Sequence, residues 1–145
     1  MEFLEFPALL YGRAARETDS TIMLTPSVSL YKTDIDIQSD TPLSTFTANE
    51  CNYSGYAAQA IVWLPPTIAA DGTYEVVSTP LIFNPNNTTV SNNVFGCFIT
   101  ENGGANLYFA GRLDGAPIPM SDLTSQIILV IRYRPADQSL TVDII

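Results

Sequence analysis

The chain has 145 residues, of which 46% are apolar and only 14% charged; it is the size of one domain and long enough to bury roughly 70% of its unfolded surface without a metal or a disulfide scaffold. Its 15 acids outnumber its 6 bases, giving a net charge of −9, so phosphate backbones are repelled and the clustered Lys and Arg of a nucleic-acid binder are missing. Globular chains average about 25% charged residues, and a surface this poor in charge points to a part that meets another subunit.

Residues 1 to 18 form a separate zone, an N-terminal arm ahead of a single domain at 19 to 145. Phe3, Leu4, Phe6, Leu9, Leu10 and Tyr11 make it unusually apolar. Pro7 suits the first position of a short helix over 8 to 16. The arm either packs on its own domain or docks on a neighbouring chain. Its acids and its proline do not suit a secretory signal, and no run reaches the roughly 18 apolar residues of a membrane span. The expectation is a chain made in a cytoplasm, with no membrane partner.

From Thr21 the pattern is β. Thr21 to Leu24 and Ser27 to Tyr31 carry β-branched and aromatic residues, with Pro26 as a break. Asp34-Ile35-Asp36-Ile37 alternates strictly. Residues 38 to 50 read as a long loop with one helical turn. Tyr56 to Leu64 is the next strand, ended by Pro65-Pro66. Asp71-Gly72 is a hairpin turn, followed by Thr73 to Ser78, a break at Pro80, and Leu81 to Phe83. The asparagine-rich stretch 84 to 93 is a polar loop. Val94 to Thr100 and Leu107 to Leu113 flank a second hairpin turn at Glu101 to Gly104. Asp114-Gly115 turns the chain into an extended segment, 116 to 119. Gln126 to Arg134 alternates strongly, and Leu140 to Ile145 closes the sequence. About eight antiparallel strands with turns every 8 to 12 residues predict an all-β sandwich or barrel.

Catalytic chemistry has few candidates. With no histidine, Ser-His-Asp and Cys-His sites cannot exist within the chain, and two cysteines cannot complete a four-ligand zinc site. Cys51 and Cys97 are either two buried thiols or a pair. Asp34 and Asp36 share one side of a presumed strand, about 6.5 to 7 Å apart, a spacing open to glycoside hydrolysis or calcium; a solvent-facing strand with Ile35 and Ile37 turned inward explains the same residues. Gly103-Gly104 is too short to cradle phosphate. Asn52, Asn86 and Asn87 satisfy the glycosylation pattern by composition alone. Tyr53, Tyr56, Trp63, Tyr74 and Tyr108 would make a sugar platform if exposed, but they follow the strand pattern of core positions.

Several short motifs stand in a fixed order: Leu30-Tyr31, Pro42, Phe46-Thr47-Ala48, Tyr53-Ser54-Gly55-Tyr56 and Trp63. They continue with Val94-Phe95-Gly96-Cys97-Phe98-Ile99-Thr100, then Leu107 to Asp114, then Pro119-Met120. This series, over about residues 22 to 134, resembles a group of small virion structural proteins of tailed bacteriophages. The arm lies outside it, and Thr45 stands where an acid is usual. The resemblance implies a jelly-roll-like β-sandwich without enzymatic activity or cofactor, placed on the capsid exterior. There it would decorate and cement the particle by bridging capsomers, with the major capsid protein as partner and a homotrimer as the preferred assembly. Tyr53, Gly55 and Tyr56 are then a structural corner, and the arm together with Asn86 and Asn87 the partner interface. The alternative is a carbohydrate-binding or receptor-binding module of a tail or head fibre; a carboxylate hydrolase is a third reading.

Overall fold

The computed structural model describes residues 2–3, 26–101, 106–136 and 139–145. The helix expected over 8 to 16, the arm from Leu4 to Tyr11, the strand at 21 to 24 and the turn residues 102–105 and 137–138 lie outside the described residues. What is described is all-β, with two antiparallel sheets and a short ribbon.

Sheet one runs in the order β1 (Glu2–Phe3), β9 (Leu107–Arg112), β8 (Gly96–Thr100), β2 (Ser27–Tyr31), β3 (Gln59–Ala60). Sheet two runs β12 (Ser139–Ile144), β11 (Ile127–Arg134), β5 (Tyr74–Val77), β4 (Thr67–Ile68), with β6 (Leu81–Phe83) also on β11. A ribbon of β7 (Asn92–Val94) and β10 (Ile118–Met120) completes the set. These are twelve strands among the described residues, against about eight expected. The surplus consists of two- and three-residue pieces where prolines and turns cut the ladders. Val94 to Thr100 is divided at Phe95, whose N–H bonds Tyr31 O instead. β5 and β6 are one interrupted strand: Val77 faces Arg132 and Leu81 faces Leu129, four residues against three. Across that bulge Ser78 stays buried, its Oγ accepting the Ile131 N–H at 2.9 Å.

Strand alternation sends one set of side chains between the sheets. Val28 and Leu30 of β2, Cys97 and Ile99 of β8, and Phe109 of β9 meet Leu81 and Phe83 of β6 and Ile127, Leu129, Ile131 and Tyr133 of β11 in one buried core. Two sheets with a shared apolar interior make the sandwich. Both cysteines lie in this core as free thiols. Burial pushes the pKa of each up to about 12.

A second, smaller core lies on the far side of sheet one. Tyr31, Phe98 and Ala110 point outward there and are covered by Phe46 of helix α1 (Leu43–Ala48), with Ile35, Ile37 and Leu43 packed around them. The stretch Asp34 to Ile37 is not a strand. It crosses over sheet one instead of lying in it, so its alternation serves a packing role without a ladder. Tyr56 to Leu64 is likewise extended chain in which only Gln59–Ala60 and a single bridge at Trp63 pair, because the chain passes there from sheet one to sheet two.

Candidate functional site

The Tyr53-Ser54-Gly55-Tyr56 turn is joined to the asparagine loop more than 30 residues away. Ser54 donates its N–H to Val90 O at 3.0 Å, accepts the Asn86 N–H at 3.0 Å, and takes the Val90 N–H on its Oγ at 2.9 Å. Gly55 has φ +88°, and a Cβ there would stand 2.7 Å from Asn86 Cγ. Asn52 adds a second clasp, with its N–H on Asn92 Oδ1 at 2.7 Å and its own Oδ1 accepting Asn92 Nδ2 at 3.0 Å. The Tyr53 and Tyr56 rings meet edge to face at 5.3 Å. The Tyr56 hydroxyl donates to Glu50 Oε2 at 2.6 Å and accepts the Leu30 N–H at 3.1 Å. Burial first, then the Glu50 hydrogen bond, raises the Tyr56 phenol well above its ordinary value. Asn86 and Asn87 remain exposed beyond the clasp, with Asn87 Oδ1 closing a local turn on the Thr89 N–H.

The other sequence candidates are scattered. Asp34 pairs with Arg112, whose guanidinium lies 5.5 Å from the Phe95 ring centroid, while Asp36 is exposed. Among the described residues no three His, Cys, Asp or Glu side chains come together as a metal set, and no helix is long and apolar enough to cross a membrane. Of the five aromatics considered for a sugar platform, Tyr53 and Tyr108 are buried, Tyr56 and Trp63 half-buried, and Tyr74 exposed. Phe3 sits on β1, where its backbone pairs with Phe109.

On the outer face of sheet two an open groove of about 310 Å³ is lined by Glu75, Arg132, Arg134, Ser139 and Thr141. Its arginines are engaged across the strands. Arg132 reaches Asp143 at 2.9 Å and Glu75 at 3.5 Å, and Arg134 reaches Asp71 at 3.2 Å. The Asp71 carboxyl lies below its ordinary range, chiefly through hydrogen bonds from Thr73. Three carboxylates on two guanidiniums leave no positive charge for an anionic ligand, and the arrangement ties β12, β11 and β5 together.

The surface that sequence reasoning missed lies along the β4–β5 edge of sheet two. Val62 and Leu64 are 57% and 46% exposed, and Ile68 and Tyr74, directly paired across the hairpin, are 66% and 55% exposed. Pro65 and Pro66 between them are exposed too. Trp63 turns inward against the main core, so its neighbours are left outside. The signal was present as four consecutive apolar residues, Ile61 to Leu64. An extended segment with one face on a core needs only every second one of them. Comparison with protein-family models, with curated proteins and with solved structures finds no match.

Proposed function

We propose that the protein is a non-enzymatic adhesion module that decorates and cements the capsid of a tailed bacteriophage. The observation that carries the adhesive part is the exposed apolar edge formed by Val62, Leu64, Ile68 and Tyr74. Exposed apolar side chains gathered along one sheet edge, Ile68 and Tyr74 on the core side of it and Val62 and Leu64 on the outer side, offer an interaction surface. The capsid as its target is supported by the ordered motifs from Leu30 to Met120 that resemble phage virion proteins. In this reading the major capsid protein covers the edge, and the arm from Phe3 to Tyr11 and the loop at Asn86 and Asn87 add further contacts. Three copies at a capsid three-fold position is the arrangement the resemblance implies.

Co-sedimentation of the full chain with undecorated phage heads tests the proposal. The expected result is saturable binding that the double variant Ile68→Lys, Tyr74→Ser abolishes while circular dichroism stays unchanged, since both side chains are more than half exposed. A chain that stays in the supernatant removes the capsid reading. Binding unaffected by the double variant removes the apolar edge from it.

A further inference from the structure

We infer that the protein self-associates through β12, which pairs antiparallel with β12 of a second copy about a two-fold axis at Val142. Sheet edges offer unpaired main-chain groups to other strands. Among the described residues, β9 is met on its outer side by β1 at Phe109 and Ala110, while β3 and β4 are two residues long, with prolines just ahead of β4. β12 has six residues, contains no proline and carries one charge, Asp143.

Among the described residues, the existing ladder fixes which main-chain groups of β12 have no partner strand. Ile145 donates its N–H to Ile128 O. By alternation, Asp143, Thr141 and Ser139 also direct their main-chain groups at β11, and Leu140, Val142 and Ile144 direct theirs to the open side. An axis at Val142 sets Val142 against its copy and Leu140 against Ile144 of the second copy, on the order of six main-chain hydrogen bonds. The side chains agree with that register. Leu140 and Val142 face the core, and Ile144 shares that face opposite Leu129 but is 40% exposed. In the pair it is covered by Leu140 of the second copy. On the outer face Thr141 stands beside Asp143 of the second copy, a hydroxyl against a carboxylate whose own Arg132 is retained. An axis at Asp143 would oppose two carboxylates and leave only Val142 and Ile144 to exchange main-chain hydrogen bonds, about four in place of six. A one-residue slip would set core-facing against solvent-facing side chains. The contact stands independently of the capsid reading and adds a pairwise link between copies.

Light scattering and amide hydrogen exchange on the full chain test it. The expected mass is an even multiple of the chain, a dimer or, where the three-fold contact also forms, a hexamer. The Leu140, Val142 and Ile144 amides should be protected, and should lose protection on dilution. Val142→Pro removes a donor that faces away from β11, a place where an edge strand tolerates proline, and should halve the mass of a dimer. A monomer, a trimer, a variant of unchanged mass, or unprotected amides at those three positions would overturn the pairing. Where the proline variant does not fold, exchange in the unaltered chain decides. A monomer that still sediments with heads overturns the pairing alone; a dimer that ignores heads overturns the capsid reading alone.

Discussion

At Gly55 the backbone adopts φ +88° with Asn86 directly against it, so the residue meets two demands at once. A side chain in the left-handed region costs about 1–2 kcal/mol, and a Cβ at 2.7 Å from Asn86 Cγ forces the asparagine loop to move. Gly55→Ala is therefore expected to lower unfolding stability by about 2–3 kcal/mol, within the range of backbone strain, as read from the urea midpoint. A loss under about 0.5 kcal/mol would show that the corner relaxes freely and that surface-substitution behaviour applies instead. The need for glycine was legible in Tyr-Ser-Gly-Tyr, because turn chemistry is local. The identity of its neighbour was not. Ser54 reaches Asn86 and Val90 only because two separate loops meet where the chain passes between the sheets, and no local pattern encodes that meeting.

Helix α1 illustrates the same division for an element. Its six residues start after Pro42 with no side-chain cap, and a helix this short has no stability of its own in water. It exists because Phe46, fully buried, packs 5.5 Å from the Tyr31 ring and 5.6 Å from the Phe98 ring. Phe46→Ala should cost about 3–5 kcal/mol. Hydrogen exchange should rise at Thr45 and Asn49, whose N–H groups bond within this turn, while β11 and β12 keep their relative protection. Loss of protection spread evenly over both sheets would mean that the second core is not a separable unit. The sequence shows one helical turn in a Ser- and Thr-rich stretch, and it shows the apolar alternation of Ile35 and Ile37. It does not show that both cover sheet one. Alternation reports which residues share a side and is silent on whether the segment lies in a sheet or across it.

For the molecule as a whole, strand faces were readable and strand partners were not. Leu129, Ile131 and Tyr133 announce a buried face by period two, but β11 pairs with β5, β6 and β12 through contacts set by the whole chain. What the assembled sandwich adds is a dry interior around ionisable groups, and this yields a prediction about pH. Cys51 and Cys97 rise from an ordinary 9.0 to about 12, and Tyr31 from 10.0 to about 12, all mainly by burial. The folded state thus holds protons that the unfolded chain releases first. These groups cost nothing below pH 9, and stability is lost as pH rises from 9 toward 12, the cysteines acting first and Tyr31 above 10. Asp71 and Asp122 act in the opposite sense, with carboxyls held below their ordinary 3.8 by Thr73 and Thr124. Their contribution is present above that value and lost below it, and it is small because both are fully exposed. Urea midpoints should therefore be level from about pH 5 to 9 and fall steeply by pH 11. Cys51→Ala with Cys97→Ala should flatten the part between 9 and 10. In the unaltered chain at pH 8, iodoacetamide should leave both thiols untouched until urea exposes them. A midpoint unchanged between pH 9 and 11, or ready alkylation of the native protein, would mean that the core opens to solvent often enough for these groups to titrate as they do in the unfolded chain.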